Sequence, residues 1–171
     1  MKYLKNVLIV FFLFGIFCIP FQKSFVIEKE NTGKILAYFP IQQTNKTFHI
    51  LYTHSIHKSD VKETYNILNN GTIRLIEITY EDTSIGMPSN AEEGEIFEMI
   101  DGKYVISNMK RDFQSISMRV AQVVGDHTII VNGHQMHFSQ VVAPGSLVKL
   151  KVKRLSLWQL WRGVNIVGKS T

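Results

Sequence analysis

Apolar and polar residues alternate along much of this chain, and only over residues 48–68 do ionisable groups share the parity of the alternating apolar residues. Two strands are predicted there, because residues two apart lie on the same face of a strand. Their apolar-facing positions are Phe48, Ile50, Tyr52 and His54 on the first strand, and Val61, Glu63, Tyr65 and Ile67 on the second. If the strands pair antiparallel across residues 57–60, Tyr52 lies opposite Tyr65 and His54 lies opposite Glu63. The pattern therefore predicts an imidazole beside a carboxylate on the apolar face, where each can serve as the other's partner.

The chain beyond residue 24 is predicted to form short strands separated by turns. Turns are indicated at Asn31-Thr32-Gly33, Asn69-Asn70-Gly71, Asp101-Gly102, Gly125-Asp126 and Asn132-Gly133. Besides the central pair, the predicted strands are 25–28, 35–41, 73–80, 95–100, 103–106, 116–124, 127–131, 135–138 and 147–154. We therefore predict an all-β fold, a single antiparallel β-sandwich or barrel of about ten short strands. The pattern does not choose between sandwich and barrel.

Residues 155–163 change from the strand period to the helix period. Leu157, Trp158, Leu160 and Trp161 fall on one side of a helical turn, and Gly163 is suited to end it. We predict a short C-terminal amphipathic helix whose Trp158 and Trp161, beside basic residues, contact a membrane interface. The alternative is that this helix fills one end of a barrel.

The N-terminus has the pattern of a secretory signal or signal-anchor. Lys2 and Lys5 precede an uncharged apolar run at residues 7–21. That run is ~22 Å long as a helix, less than the ~30 Å of a bilayer's hydrocarbon layer. No small-x-small cleavage triplet follows, so we expect a retained anchor; if it is cleaved, the protein is secreted. The predicted division is a signal-anchor or signal peptide at 1–23 and an extracytoplasmic β-domain at 24–171, with the lysines cytoplasmic.

Cysteine content and charge narrow the classes of site and partner. Cys18 is the only cysteine, so the exported part has neither a disulfide nor a thiolate metal site. The net charge is +5, but the acids and bases are separated: residues 77–101 hold eight acids and no base, and bases alone follow Asp126. The basic end could face anionic lipid, or the two blocks could be neighbouring solvated faces. No nucleic-acid partner is expected for an exported domain of such modest charge.

His54-Ser55 followed by Glu63 suggests a Ser-His-acid hydrolase. Two observations oppose it: neighbouring strand residues point to opposite faces, and no G-x-S-x-G elbow is present. The six histidines form only two close pairs, each with a spacing that places the rings on opposite faces of a strand, so no metal site is expected. No cofactor is predicted.

A non-catalytic use of the central pair is the remaining interpretation. The pair either lines a small polar pocket or only fixes the strand register. A further alternative is that the pair holds the loop at residues 85–88 in place; in either case Arg111 or Arg119 would supply a countercharge. The candidate pocket residues are Tyr52, Thr53, His54, Ser55, Lys58, Glu63, Gly86, Met87, Pro88, Arg111 and Arg119.

The same region carries a resemblance to a known family. The matching residues are Tyr52-Thr53-His54-Ser55, Lys58, Val61, Glu63, Ile85-Gly86-Met87-Pro88, Asp101-Gly102, Arg111, Arg119-Val120 and Pro144-Gly145. With these the chain resembles the bacterial domain of unknown function numbered eighteen-fifty, over nearly all of the exported part. Departures from the family pattern occur at His57, at Ser59-Asp60 and at Ser84-Ile85.

The resemblance implies a small exported or anchored protein, often encoded beside a TRAP-type permease of the TAXI class, and offers no catalytic residues. We therefore expect an accessory or binding module of a TRAP-type transporter, held at the cell membrane by its N-terminal helix. Its expected partners are the permease or its binding protein, and membrane lipid. The alternatives are an envelope hydrolase using His54 and Glu63, or a purely structural envelope module; an enzyme is the less favoured interpretation.

Overall fold

A computed structural model describes residues 2–43, 46–54, 58–82, 87–122 and 125–168 of the chain. Within these ranges the chain forms two α-helices and thirteen strands. The helices are α1 (Lys2–Cys18) and α2 (Leu157–Arg162). The strands are β1 (Gln22–Lys29), β2 (Lys34–Pro40), β3 (Thr47–Thr53), β4 (Asp60–Ile67), β5 (Ile73–Tyr80), β6 (Ile96–Ile100), β7 (Lys103–Ser107), β8 (Arg111–Phe113), β9 (Ser115–Arg119), β10 (Thr128–Val131), β11 (His134–His137), β12 (Leu147–Leu155) and β13 (Val164–Asn165).

The strands form two open sheets. The five-stranded sheet has the order β13-β2-β1-β12-β9, and the eight-stranded sheet has the order β11-β10-β3-β4-β5-β7-β6 with β8 also paired to β5. Their inner faces share one apolar core, to which Phe25 and Leu150 contribute from the first sheet and Ile50 and Ile73 from the second. The prediction of a mostly β fold is therefore confirmed, and of its two forms the two-sheet form is the one observed.

Most predicted strands are present near their predicted bounds, and the three consecutive strands β3, β4 and β5 are neighbours in one sheet. Two elements are additional to the prediction. One is β8, which pairs with β5, and the other is β13, which runs parallel to β2. Both are only two or three residues long, which is too short for a period-2 pattern to be recognised.

An aromatic cluster joins the two sheets. The Phe48 ring on β3 lies 4.5 Å from the Phe25 ring and 6.1 Å from the Phe39 ring, both in the opposite sheet. It also stacks on Tyr65 of β4, with 5.2 Å between ring centroids. Phe25, Phe39 and Phe48 are completely buried. Phe48 therefore fixes β3 against the five-stranded sheet and against β4 together.

The lysines of β12 face outward as their alternation predicts, but carboxylates from the start of the chain pair with them. Glu28 is only 4% exposed and contacts the ammonium groups of Lys151 and Lys153, the latter at 3.2 Å. Lys149 pairs with Glu30 at 3.1 Å. Antiparallel pairing of β1 with β12 brings these groups together. The middle of this face is therefore a set of ion pairs and has little free positive charge.

Helix α2 lies on the outer face of the five-stranded sheet. It begins at a capping box between Ser156 and Gln159. Leu160 packs on the second apolar cluster, which consists of Val26, Ile35, Tyr38 and Leu155. The alternative that this helix fills one end of a barrel is therefore wrong, because an apolar patch outside the sheet accepts it.

Helix α1 is 17 residues long and leads into β1 through a short linker. Within the described part of the chain, no helix combines the length and the apolar composition needed to cross a lipid bilayer. The predicted N-terminal anchor stays a prediction.

We predict that Phe48→Ala lowers the free energy of unfolding by about 3–5 kcal/mol, because a buried aromatic ring is replaced by a cavity between the sheets. Denaturant titration of the full chain in neutral detergent, followed by far-ultraviolet circular dichroism, measures the change. Phe113→Ala is the control, because that ring is 36% exposed and its loss should cost about 1 kcal/mol or less. Equal costs for the two variants would contradict the role given to Phe48.

Candidate functional site

The pairing of β3 with β4 differs from the predicted register. Glu63 lies opposite Ile50 and Tyr52 lies opposite Val61, so His54 is not the cross-strand neighbour of Glu63. The turn closes earlier than predicted, with the His54 N–H donating to the Ser59 carbonyl at 2.8 Å and the Lys58 N–H donating to the His54 carbonyl at 2.9 Å. The predicted pairing of His54 with Glu63 is therefore wrong. The predicted faces are still right, because the register differs by an even number of residues.

Two tyrosines bind the Glu63 carboxylate. The Tyr52 hydroxyl donates to Oε1 at 3.2 Å, and the Tyr65 hydroxyl donates to Oε2 at 2.6 Å. Tyr65 is two residues from Glu63 and shares its strand face, whereas Tyr52 reaches it diagonally from β3. Each carboxylate oxygen thus has its own hydroxyl donor. We call Tyr52, Glu63 and Tyr65 the carboxylate cluster.

Burial and hydrogen bonding act in opposite directions on Glu63. Burial raises the pKa of its carboxyl above the ordinary value, and the hydrogen bonds from Tyr65 and Tyr52 lower it. The net shift is upward. Burial, followed by the neighbouring Glu63 charge, raises the pKa of Tyr52 and of Tyr65. Both tyrosines are therefore proton donors at neutral pH, and neither is suited to act as a base or nucleophile.

His127 covers the cluster from the side. Its ring stacks on Tyr52 at 5.4 Å and approaches Phe138 at 5.9 Å. Burial lowers the pKa of the imidazole, which favours the neutral ring. Its Nδ1 is buried and has no hydrogen-bond partner among the described residues. From the sequence alone His127 has no assigned role, because it belongs to neither of the two close histidine pairs. The pairing of β10 with β3 brings His127, which directly precedes β10, close to Tyr52, and this pairing cannot be recognised from the local sequence.

The backbone of Gly125 lies close to Thr53 of β3. Gly125 has φ +62°, and a Cβ there would lie 2.4 Å from the Cβ of Thr53. Only glycine readily adopts this positive φ and also lacks the Cβ that would clash with Thr53. Gly125-Asp126 is a turn signal in the sequence, and close packing on Thr53 is an additional reason for glycine at this position.

Three predicted pocket residues near β3 have structural roles or lie outside the described ranges. The Thr53 hydroxyl donates to Asp60 Oδ1 at 3.1 Å, which joins the two ends of the turn. Lys58 adopts a positive φ of 56° within that turn. Ser55, like Gly86 of the later loop, lies outside the described residues.

The remaining predicted pocket residues do not pair with Glu63. Met87 packs partly buried against the core, and the Pro88 carbonyl accepts a hydrogen bond from the Tyr80 hydroxyl. Arg111 forms ion pairs with Glu92 at 2.9 Å and Glu95 at 3.1 Å.

Arg119 belongs to the other sheet, on β9, and donates to the Gly145 carbonyl at 2.7 Å. The prediction that Arg111 or Arg119 supplies a countercharge is therefore wrong. Hydroxyl donors, not a cation, bind this carboxylate.

The arrangement of the cluster fits a structural or ligand-positioning role better than proton transfer. Both Glu63 oxygens are occupied and the adjacent tyrosines hold their protons, so the geometry leaves no oxygen on Glu63 to orient a base. Among the described residues, no group of three or more His, Cys, Asp or Glu side chains is arranged to hold a metal ion.

Comparison with known proteins identifies one family model that matches residues 48–138, described as "Domain of unknown function (DUF1850)". The matched segment begins at Phe48, ends at Phe138, and contains the whole carboxylate cluster together with His127. No curated protein and no solved structure matches the chain.

We predict that Glu63→Gln makes the stability of the protein less sensitive to pH. Because the folded-state pKa of Glu63 is raised, the folded state binds this proton more tightly than the unfolded state does. The resulting stability is fully present below the unfolded pKa and is lost as the pH rises through the folded pKa. The wild type should thus lose stability relative to Glu63→Gln on going from pH 4 to pH 8, by about 1.4 kcal/mol for every tenfold difference in proton affinity between the two states.

Denaturant titration of both proteins at several pH values measures this difference. Glu98→Gln, on the exposed edge strand β6, is the matched control for the loss of one acidic side chain. Parallel stability profiles for the wild type and Glu63→Gln would show that burial of Glu63 does not perturb its titration.

Proposed function

Because the chain belongs to the family described as "Domain of unknown function (DUF1850)", we propose that it is a membrane-anchored extracytoplasmic β-domain that serves a TRAP-type solute transporter as a non-catalytic accessory module. The observation that carries the membrane part of this proposal is the apolar surface formed by α1 and α2. The transporter part is supported by the family resemblance alone.

Helix α1 exposes large apolar side chains on several sides. Those exposed include Tyr3, Leu4, Val7, Phe11, Phe12, Phe14 and Ile16. Its C-terminal end meets α2, where the Phe17 ring contacts the Trp158 ring edge-on at 6.1 Å. Trp158 and Trp161 are 41% and 73% exposed. An apolar surface of this extent is typical of contact with lipid or another protein.

The residues at the two ends of α1 are of types that occur at membrane–water interfaces. Helix α1 is about 26 Å long, which is less than the ~30 Å hydrocarbon layer, so the proposed anchoring requires flanking aromatic residues and lysines to hold the helix at the interfaces. Trp158 and Trp161 next to its end are the residue type enriched at the membrane interface. The Arg162 guanidinium lies 5.3 Å from the Trp158 ring centre, where it can reach lipid headgroups. Lys2 and Lys5 at the other end favour an extracytoplasmic β-domain.

A non-catalytic role is supported by the carboxylate cluster. A carboxylate bound by two tyrosine hydroxyls helps to keep the first strands of the family-matched segment in a fixed register, and each of its oxygens is already hydrogen-bonded. Removing these hydrogen bonds is expected to alter the pairing of β3 with β4, and no catalytic step is proposed to depend on them. The module is thus proposed to act by binding, through a surface that this framework holds in place.

The two tryptophans give a direct test, because the chain contains only two and both lie on α2. We predict that their fluorescence emission shifts to shorter wavelength when the full chain is diluted from a detergent-free buffer into phosphatidylcholine vesicles, and that brominated lipid quenches it. The physical reason is burial of the indole rings at the lipid interface.

Trp158→Phe and Trp161→Phe, measured singly, assign the signal to each ring. Trp161 is the more exposed, so its emission should respond more strongly. Emission that brominated lipid does not quench, with unchanged access to aqueous iodide, would exclude a membrane contact at α2 and remove the observation on which the anchoring proposal stands.

The transporter proposal has a separate test. We predict that a tagged full chain, expressed with a TRAP-type permease from the same genome, copurifies with it after mild crosslinking in the membrane. The tag alone fused to residues 1–23 is the control for shared membrane location. Equal recovery of the permease with that control would show that the β-domain itself binds no permease.

A further inference from the structure

A cleft with a basic lining opens beside the first residues of β1. Its volume is about 270 Å³, and its lining includes the cations Lys23, Lys153 and Arg154 and the amides of Asn70 and Gln114. No acidic side chain is among the described residues that line it. We call this the basic cleft.

The cations of the basic cleft keep unused hydrogen-bonding capacity. Lys23 Nζ donates to the main-chain carbonyl of Asn69 at 2.7 Å, and Arg154 Nη1 donates to that of Phe21 at 3.0 Å. Within the described residues, neither cation forms an ion pair. An ammonium has three N–H donors and a guanidinium five, so several remain available on each.

The charge around the cleft is unbalanced. Lys153 is paired with Glu28 on the outer face of the sheet, so among the described residues the unpaired positive charge of the cleft is that of Lys23 and Arg154. Lys46 adds a further cation at the turn between β4 and β5, where its Nζ donates to the Asn69 side chain at 2.9 Å. The local excess of positive charge favours an anionic ligand.

The cleft lies where the linker from α1 enters the domain. Lys23 and Arg154 are cross-strand neighbours, and the Phe21 N–H donates to the Leu155 carbonyl at 3.0 Å. The linker itself exposes Ile19 and Phe21, which are 57% and 48% accessible. With α1 in the bilayer, the apolar linker residues reach the acyl boundary and the basic cleft is at the depth of the headgroups.

We propose that the basic cleft binds the phosphodiester headgroup of an anionic phospholipid. The inference rests on the proposed membrane anchoring through α1. The Lys23 ammonium and the Arg154 guanidinium donate charge-assisted hydrogen bonds to the phosphate oxygens, and the side-chain amides of Asn70 and Gln114 donate to the remaining headgroup oxygens. Such a contact fixes the tilt of the β-domain on the membrane as well as its attachment.

The test uses the full chain in neutral-detergent micelles, with phosphatidylglycerol or phosphatidylcholine added in steps. The thermal midpoint reports binding, because a ligand of the folded state raises it. Phosphatidylglycerol should raise the midpoint of the wild type, whereas phosphatidylcholine should not. The double variant Lys23→Gln with Arg154→Gln should need at least about tenfold more phosphatidylglycerol for half of the wild-type shift.

The matched control removes two cations elsewhere. Lys103→Gln with Lys110→Gln has the same net charge as the test variant and should keep the wild-type response; Lys103 is the first residue of β7 and Lys110 precedes β8, both in the eight-stranded sheet. The swap Lys23→Arg with Arg154→Lys retains both charges and should also keep it. If the test variant shows no cooperative melting, the single variant Arg154→Gln, whose side chain is exposed, is measured in the same way.

Three results would overturn the proposal. One is an equal response of the test and control variants, which would mean that phosphatidylglycerol acts through net charge alone. The second is no response of the wild type to phosphatidylglycerol. The third is an equal effect of inorganic phosphate at the same concentration, which would assign the cleft to a soluble anion.

Flotation with phosphatidylcholine vesicles separates this proposal from membrane anchoring. The wild type and the Lys23→Gln, Arg154→Gln variant should float alike, because α1 and the tryptophans attach both. Failure of the wild type to float would reject the anchoring, whereas normal flotation without a phosphatidylglycerol response would reject the basic cleft only.

Discussion

The contact of Phe48 with Phe25 and Phe39 is the constraint on which the rest of the domain depends. It crosses from one sheet to the other, and the same ring stacks on Tyr65 of β4. Once Phe48 is held, strand periodicity sets Ile50 and then Tyr52 on the inner face, and Tyr52 meets Glu63. The polar cluster is therefore positioned by apolar packing further back along the same strand face. The ring contacts supply the stability, and the hydroxyl bonds to Glu63 select one register among those that the packing allows.

Two shielded carboxylates of the domain are held by different means. Glu28 lies on the outer face of β1 and is matched by two ammonium groups of β12. Glu63 lies on the inner face of β4 and receives two tyrosine hydroxyls. A cation in the second position would have to be desolvated together with the carboxylate, whereas a tyrosine brings an apolar ring into the core and only its hydroxyl to the acid. Each solution fits its face of the sheet, since lysine stems can reach water from the outer face far more readily than from the inner one.

Periodicity and turn chemistry predicted much of this fold because both are local. Asp101-Gly102 and Asn132-Gly133 were identified as turns from residue types that tolerate positive φ, and all four have it. The face of Glu63 followed from alternation, but its partner depended on where the turn after β3 closes, and no apolar period marks that point. His127 was missed because it reaches Tyr52 through the pairing of β10 with β3, which joins segments far apart in sequence. The same holds for the basic cleft, whose cations come from opposite ends of the chain.

The position of β1 has a consequence for how the chain acquires its fold. This strand is buried on both faces and lies between β2 and β12. Of its two hydrogen-bonded neighbours, β12 is synthesised late, and only α2 and β13 follow it. Until β12 arrives, β1 and β2 form a two-stranded ribbon with an apolar, unsatisfied edge, which is marginally stable by itself and prone to pair with other chains. The strands β3, β4 and β5 are consecutive in the sequence, so they can pair with one another before β12 is synthesised. A nascent chain would thus expose the apolar edge of its first hairpin until β12 is made, and association with a chaperone or with the membrane during that interval would protect it from aggregation.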